Sequence, residues 1–208
     1  CAKFFKAEKC IIYTDVDGVY TTDPNTLKKA KKIKVISYEE MLEMASLGAK
    51  VMQPASLQEA RLNRIDIDVK SSFTNKEGTL ITKKKNIYSN KNIRGVSFTK
   101  NDAKVTLVGV KDRPGVAASV FKPFYQNYIN VDMVVQTSSG NKGETDITFT
   151  IKSDDLLKTL KLIKQNKKIK YRDLIVNKNV SKVSIVGVGM ITTPGVTYRM
   201  FQTLANKG

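Results

Sequence analysis

The stretches "AKVTLVGVKDRPGVAASVF" (103–121) and "SKVSIVGVGMITTPGVTYRMF" (181–201) are two versions of one pattern. Val105, Leu107, Val108 and Gly109 correspond to Val183, Ile185, Val186 and Gly187, and Pro114-Gly115-Val116 to Pro194-Gly195-Val196. The second version carries two extra residues before its Pro-Gly. A strand, a Pro-Gly turn and a helix recurring about 80 residues apart predict two copies of one module.

Outward from the first copy, "DAKVTLVGV" (102–110) reads as a strand, "KDRPG" (111–115) as a turn, and "VAASVFKPFYQNY" (116–128) as a helix kinked at Pro123. "INVDMVVQTSS" (129–139) and "ETDITFTIK" (144–152) are strands joined across "GNKG", a hairpin signal. "SDDLLKTLKLIKQNKK" (153–168) is an amphipathic helix opened by Ser153, with acids in its first turn, and "YRDLIV" (171–176) is a fourth strand. The order βαββαβ predicts an antiparallel sheet with two helices on one face, the ferredoxin-like layout. The second copy ends after its helix and cannot close such a sheet alone, so a further C-terminal piece is expected.

Upstream, "KCIIYTDV" (9–16) is a short apolar run that predicts a buried strand. "SYEEMLEMASLG" (37–48) predicts a helix with a Ser37/Glu40 capping box, an apolar face of Met41, Leu42, Met44, Ala45 and Leu47, and a stop at Gly48. "SLQEARLNR" (56–64) is a second helix; "IDIDVKSSF" (65–73) and "GTLIT" (78–82) are strands. Strand, helix, helix, strand is an α/β pattern. The basic, Asn-rich stretch 83–95 has no apolar periodicity and is read as a linker, dividing a segment 1–82 from a module at 96–178 and the start of a second at 179–208.

The chain has 208 residues and a formal net charge of +17, with 41% apolar residues, ordinary for a folded core. Only six of its 36 basic residues are arginine. The lysines are dispersed, as in "KKAKKIK" (28–34) and "KQNKKIKYR" (164–172), which predicts a solvated surface rather than a nucleic-acid interface. No apolar run approaches the ~20 residues that span a bilayer. The start "CAKFFKAEKC" has no leader pattern and no initiator Met, and it reads like the middle of a helix, so a fragment of a longer chain is expected. Cys1 and Cys10 are the only cysteines, which points to a reducing cytoplasm rather than a disulfide scaffold. The absence of His removes the commonest general base and every Ser-His or Cys-His pair.

Against this basic background, "IYTDVDGVYTTDP" (12–24) gathers Asp15, Asp17 and Asp23 around one glycine. Three chemistries use such a cluster. A calcium loop beginning at Asp15 would need an oxygen ligand and Gly where Val19 and Tyr20 stand. An apolar strand followed by D-x-D-G resembles the first motif of haloacid-dehalogenase phosphatases, with Asp15 as nucleophile and Asp17 as acid and base. That site needs a later acidic pair, and neither Asp154-Asp155 nor Asp66 with Asp68 is placed to complete it. The third chemistry is a loop that holds a nucleotide.

The cluster continues into "ISYEEMLEMASLGAKVMQP" (36–54) and "VKSSFTNKEGTLI" (69–81). Together these closely resemble the C-terminal part of the aspartokinase catalytic domain, and "KVTLVGVKDRPGVAASVF…INVDMVVQ…TDITFTI" resembles the ACT regulatory modules of that family. The resemblance covers essentially the whole chain in the family's order. It implies the C-terminal portion of an amino-acid-kinase (carbamate-kinase-like) α/β/α domain followed by ferredoxin-like ACT modules, the second incomplete. The implied reaction phosphorylates L-aspartate with ATP, accompanied by Mg²⁺, giving 4-phospho-L-aspartate. The resemblance also implies nucleotide contacts at Thr14, Asp15, Tyr20, Thr21, Thr22, Asp23, Pro24, Asn25, Lys50 and Val51. Asn25 stands where the family usually has Arg, which removes a charge-assisted contact to phosphate.

For the ACT modules the resemblance implies a free amino acid, lysine or threonine, bound at Asp112, Arg113, Pro114, Gly115, Val116 and Ala117. Asn130, Val131, Asp132 and Gln136 join from the next strand, and Val196 and Thr197 from the second copy. Lysine is the expected effector, and a homodimer through the ACT modules is expected. The family's Lys-Phe-Gly-Gly-Thr-Ser phosphate segment and Gly-Arg-Gly-Gly-Ser-Asp substrate loop do not occur in the sequence, so no catalytic residue is expected here and the chain alone is expected to be inactive. The alternative is an ACT regulatory subunit without catalysis.

Overall fold

A computed structural model describes residues 1–83, 93–187, 190 and 193–207. Its strands are β1 (Lys9–Thr14), β2 (Val35–Ser37), β3 (Asp66–Ser71), β4 (Thr79–Thr82), β5 (Gly95–Lys111), β6 (Val134–Ser138), β7 (Glu144–Lys152) and β8 (Asp173–Val186). Its α-helices are α1 (Tyr38–Ser46), α2 (Pro54–Asn63), α3 (Val116–Gln126), α4 (Leu156–Gln165) and α5 (Val196–Ala205). The chain divides into two compact units: Cys1–Phe98 with Val183–Gly208, and Thr99–Lys182. Most of the stretch read as a linker, 84–92, lies outside the described residues.

In the first unit, β1 runs parallel to β3 from Lys9↔Asp66 to Thr14↔Ser71. β3 pairs antiparallel with β4, and β4 parallel with β2, giving the order β1-β3-β4-β2. The parallel β1–β3 pair requires a long crossover, which α1 and α2 supply. At α1 the capping box forms as expected: Glu40 N–H donates to Ser37 Oγ, and the Ser37 amide to the Glu40 carboxylate. Met41 and Met44 face the core with Tyr38, Leu57, Ile67, Val69 and Ile81. β2 was not expected, because three residues are too few for alternation to be read. The N-terminal residues form turns rather than the helix interior that "CAKFFKAEKC" suggested.

In the second unit, β5, α3, β6, β7, α4 and β8 follow one another, and the sheet order is β6-β7-β5-β8. This is the expected ferredoxin-like sheet, with the first and third strands central. The β6–β7 hairpin pairs Ser138 with Thr145 across the expected turn, and a bulge interrupts β5 between Leu107 and Val110. Val105, Leu107, Ile147 and Phe149 meet Val116, Val120 and Phe124 of α3 and Leu156 and Ile163 of α4. The rings of Phe121, Phe124 and Phe149 pack with centroids 5.4–5.9 Å apart.

Pro123 lies inside α3. It has no N–H to offer the Ser119 carbonyl four residues back. The amide Nδ2 of Asn166, the C-cap of α4, donates to that carbonyl at 3.1 Å. Lys158 Nζ donates to Asn127 O at 2.8 Å, a second tie between the two helices.

Several boundaries differ from the sequence reading. The strand expected at 102–110 starts at Gly95, and the one expected at 129–139 is confined to Val134–Ser138. Ser153 does not cap α4: Ser153–Asp155 form a 3₁₀ turn, α4 begins at Leu156, and Ser153 Oγ is buried with no hydrogen-bond partner among the described residues. The strand expected at 171–176 and the opening strand of the second copy form one continuous β8, since "NKNVSK" contains neither Gly nor Pro to break it. Asn101 and Asn179 occupy matching places in the two copies, and both adopt a left-handed backbone, with φ of 67° and 57°.

Candidate functional site

The acidic loop leaves the carboxyl end of β1, where α/β sheets place ligands. Thr14 Oγ1 donates to Asp15 Oδ1 at 2.9 Å, and Asp15 is exposed. Beyond it the chain doubles back: Thr21 N–H donates to Lys31 O at 2.9 Å, Tyr20 bridges to Lys32, and Ile33 N–H donates to Val19 O at 2.8 Å. Asp17 is engaged on both oxygens, by Tyr20 Oη at 2.5 Å and by Lys32 Nζ at 3.3 Å. Lys32 Nζ also donates to Glu77 O at 2.6 Å.

The Tyr20 hydroxyl holds the Asp17 carboxyl below its ordinary range; partial burial opposes this and Lys32 adds to it. The same hydrogen bond, helped by burial, raises the Tyr20 phenol. Asp17 is therefore a fixed anion that shapes the loop, a poor acid for phosphatase chemistry at neutral pH. Asp23 closes an Asx turn, accepting from Asn25 N at 2.9 Å and Thr26 Oγ1 at 3.1 Å. Thr21 Oγ1 accepts from Lys31 N at 3.1 Å. Thr14, Asp15, Thr22, Pro24 and Asn25 thus share one loop with Tyr20, Thr21 and Asp23. Lys50 is exposed and Val51 half-buried in the α1–α2 connection, and among the described residues no hydrogen bond or ion pair joins them to that loop.

Two residues that anchor the loop were not singled out in the sequence. Lys32 looked like one of many surface lysines in "KKAKKIK". Thr79 is fully buried at the start of β4. Its Oγ1 accepts from Val19 N at 2.8 Å and donates to Ile33 O at 2.6 Å. In the strand Thr79-Leu80-Ile81-Thr82 nothing local sets Thr79 apart from Thr82.

In the second unit, α3 opens at Gly115, whose φ of 82° is left-handed; in the other unit α5 opens at Gly195 with φ 87°. In each case the fourth residue on, Ser119 or Arg199, donates its amide to the glycine carbonyl at 3.0 Å, and Val116 and Val196 are buried alike. The repeat read from the sequence is thus a repeat of backbone geometry. Asp112 N–H donates to Gly143 O at 2.9 Å, setting the Pro-Gly turn beside the β6–β7 hairpin. Arg113 Nη2 donates to Lys168 O at 3.3 Å. Asp112, Arg113, Pro114 and Gly115 are exposed, and Ala117 is half-buried.

Asn130, Val131 and Asp132 lie at the other end of α3. Asn130 and Val131 line a cavity of about 410 Å³ with Phe121, Tyr125 and Tyr128. Asp132 is ion-paired with Lys182, and Gln136 is exposed on the edge strand β6. Within one copy of the unit, the two groups of expected effector residues are separated by the 11-residue helix, about 16 Å of rise. Val196 and Thr197 belong to the other unit. Among the described residues no helix is long and apolar enough to cross a membrane.

Comparison with known proteins agrees with both halves. Residues 1–71 match the amino acid kinase family, and residues 105–166 and 183–208 match the ACT domain. The chain is 42% identical over 208 residues to an aspartokinase of Bacillus sp. (strain MGA3), covering 100% of this chain and 50% of that protein. It spans about half the length of the curated relatives it matches. E. coli aspartokinase III in complex with aspartate and ADP superposes with TM-score 0.81 at 29% identity, over 98% of this chain and 45% of that one. The same enzyme in complex with lysine and aspartate gives 0.71 at 31% identity, over 89% of this chain and 41% of that one. The regulatory subunit of aspartate kinase from Thermus thermophilus is 35% identical over 56% of this chain and 76% of its own, with TM-score 0.51. From end to end, across an amino acid kinase segment and an ACT segment, the chain is similar to about half of an aspartokinase.

Proposed function

We propose that this chain is the nucleotide-lobe and regulatory portion of an aspartate kinase, which converts ATP and L-aspartate to ADP and 4-phospho-L-aspartate under feedback control by an amino acid. The observation that carries the reading is the doubled Pro-Gly helix start at Gly115 and Gly195, in a chain similar from end to end to aspartokinases. ATP meets the loop Thr14, Asp15 and Tyr20 to Asn25, with Lys50 and Val51 closing on its phosphates. Asn25 lacks the guanidinium usual there, so the phosphates are held less tightly on that side. Among the described residues no group of three or more acidic or cysteine side chains could cage a cation. Mg²⁺ accompanies the nucleotide, held on its phosphates.

The effector is a free amino acid, and lysine is favoured because a related enzyme has been captured with it. Its carboxylate suits the N–H groups at the start of α3, and its ammonium suits Asp112 or Asp132. Since Asp112–Ala117 and Asn130–Asp132 lie at opposite ends of α3, one effector touches both groups only between two copies of the chain. A homodimer through the second unit follows from that reading.

Calorimetry with L-lysine and L-threonine tests the regulatory half. Lysine binds the wild-type chain, and Asp112→Ala or Asp132→Ala weakens it by about 1.5–3 kcal/mol, the worth of a charged hydrogen bond. Binding of neither amino acid to the wild type would refute the effector site. In a coupled assay the chain alone releases no ADP in an aspartate-dependent way, whereas a longer chain carrying the Gly-Arg-Gly-Gly-Ser-Asp loop does. Aspartate-dependent ADP release by the 208-residue chain would overturn the first expectation.

A further inference from the structure

Val19 and Ile33 face each other where the acidic loop doubles back. Ile33 N–H reaches Val19 O directly, at 2.8 Å. In a plain antiparallel pair the reciprocal bond would run from Val19 N–H to Ile33 O. Here a hydroxyl from a distant strand is inserted instead: Val19 N–H donates to Thr79 Oγ1, and Thr79 Oγ1 donates to Ile33 O. Val19 is 1% and Thr79 0% exposed, so no water replaces that hydroxyl without opening the core. One side-chain oxygen satisfies a buried amide and a buried carbonyl together, and it holds the two backbones apart.

The preceding residue is shaped by the same oxygen. Gly18 has φ 142°, and a Cβ built on it would lie 2.6 Å from Thr79 Oγ1. Gly18 connects Asp17 to Val19, and the loop presents Asp15 on one side and Tyr20 on the other. On the opposite side Lys32 joins Asp17 to Glu77 O, so the approach to β4 is tied to the loop twice.

We infer that Thr79 is a positioning residue for nucleotide binding: its hydroxyl sets the loop conformation that presents Asp15 and Tyr20, without touching the nucleotide. The inference rests on the proposed nucleotide loop and adds a residue more than 50 positions away in sequence. Valine has the shape of threonine but can neither accept from Val19 nor donate to Ile33. Serine can do both.

The test is ADP titration, by calorimetry, of the wild-type chain and of Thr79→Val, Thr79→Ser and Gly18→Ala, each first checked by circular dichroism. The wild type binds ADP, Thr79→Val weakens it about tenfold or more, and Thr79→Ser returns it to within about threefold. Gly18→Ala keeps the hydroxyl but forces the loop off it, so it also loses ADP affinity; it decides the matter if Thr79→Val does not fold. Equal ADP affinity in wild type and a folded Thr79→Val, equal damage in the Ser and Val variants, or wild-type affinity in Gly18→Ala would each overturn the inference while leaving the nucleotide loop standing. A wild-type chain that binds no ADP would overturn both.

Discussion

Replacing Asn166 by alanine should destabilise the second unit, and replacing Pro123 by alanine should remove most of that effect. The reason lies in one carbonyl. Ser119 O has no helical donor because residue 123 is proline, and Asn166 Nδ2 donates to it at 3.1 Å instead. Asn166 Oδ1 also accepts from Lys168 N at 3.2 Å in an exposed turn. Losing a neutral hydrogen bond of this kind costs about 1 kcal/mol, and leaving a partly buried carbonyl unsatisfied raises the figure toward 2. The exposed Lys168 bond adds about 0.5 kcal/mol. Asn166→Ala in the native background therefore costs about 2 kcal/mol. In Pro123→Ala the new amide reaches Ser119 O along the helix, and only the Lys168 bond is left to lose. The coupling energy of the cycle is thus about 1–1.5 kcal/mol, well above the few tenths typical of independent sites. Urea unfolding by circular dichroism reads it as a midpoint shift of about 0.5 M, for a slope of roughly 2–3 kcal/mol per M. Amide exchange of α3 confirms that the change belongs to this helix. If Asn166→Ala costs the same with proline or alanine at 123, the amide is not replacing the missing N–H.

Three further outcomes follow from the described contacts. Asp102 is 3% exposed; burial pushes its carboxyl up, but Lys152 Nζ at 2.7 Å and Thr99 Oγ1 at 2.6 Å outweigh it and hold the pKa below the ordinary value. A lowered folded-state pKa means the stabilisation is complete above the unfolded value of about 3.9 and is lost as pH falls through the folded one. Asp102→Asn should flatten the acid limb of a stability–pH curve, and an unchanged limb would refute the assignment. Tyr20→Phe should raise the Asp17 pKa, because the phenol is the largest influence lowering it; carbon-detected NMR titration shows the shift, and no movement would mean Lys32 suffices alone. Phe124→Ala removes one ring of the three-ring cluster and should cost about 3–5 kcal/mol in urea unfolding; a loss under 1 kcal/mol would mean the core collapses to fill the space.

What the sequence made legible were features whose cause is local. The Ser37/Glu40 box lies within one turn, the Gly140–Gly143 hairpin is a short loop, and the order βαββαβ needs only element types. Even the left-handed starts of α3 and α5 were implied by writing Pro-Gly twice. What it concealed depends on distance or on silence. Thr79 acts on residues 46 and 60 positions away, and nothing near it marks that role. Lys32 is one lysine among thirty. β8 runs on because no breaker stops it, and a missing signal is hard to weigh. Ser153 looked like a cap, yet the acids after it sit in a 3₁₀ turn. The expected effector residues came from the resemblance, which says nothing of their distances. The fold adds the scale: the 11 residues of α3 hold Asp112 and Asp132 about 16 Å apart along the helix.

The glycines that open α3 and α5 have open space around them: at both, a methyl group would meet no atom of the described residues within 4 Å. Crowding therefore does not explain why glycine is used there; chirality does. With φ near +85°, an L-residue is disfavoured, whereas its mirror image would be at rest. D-alanine introduced by chemical ligation at position 115 or 195 would rigidify the unfolded chain without straining the folded one. Both copies keep the achiral residue because ribosomal synthesis offers no right-handed substitute.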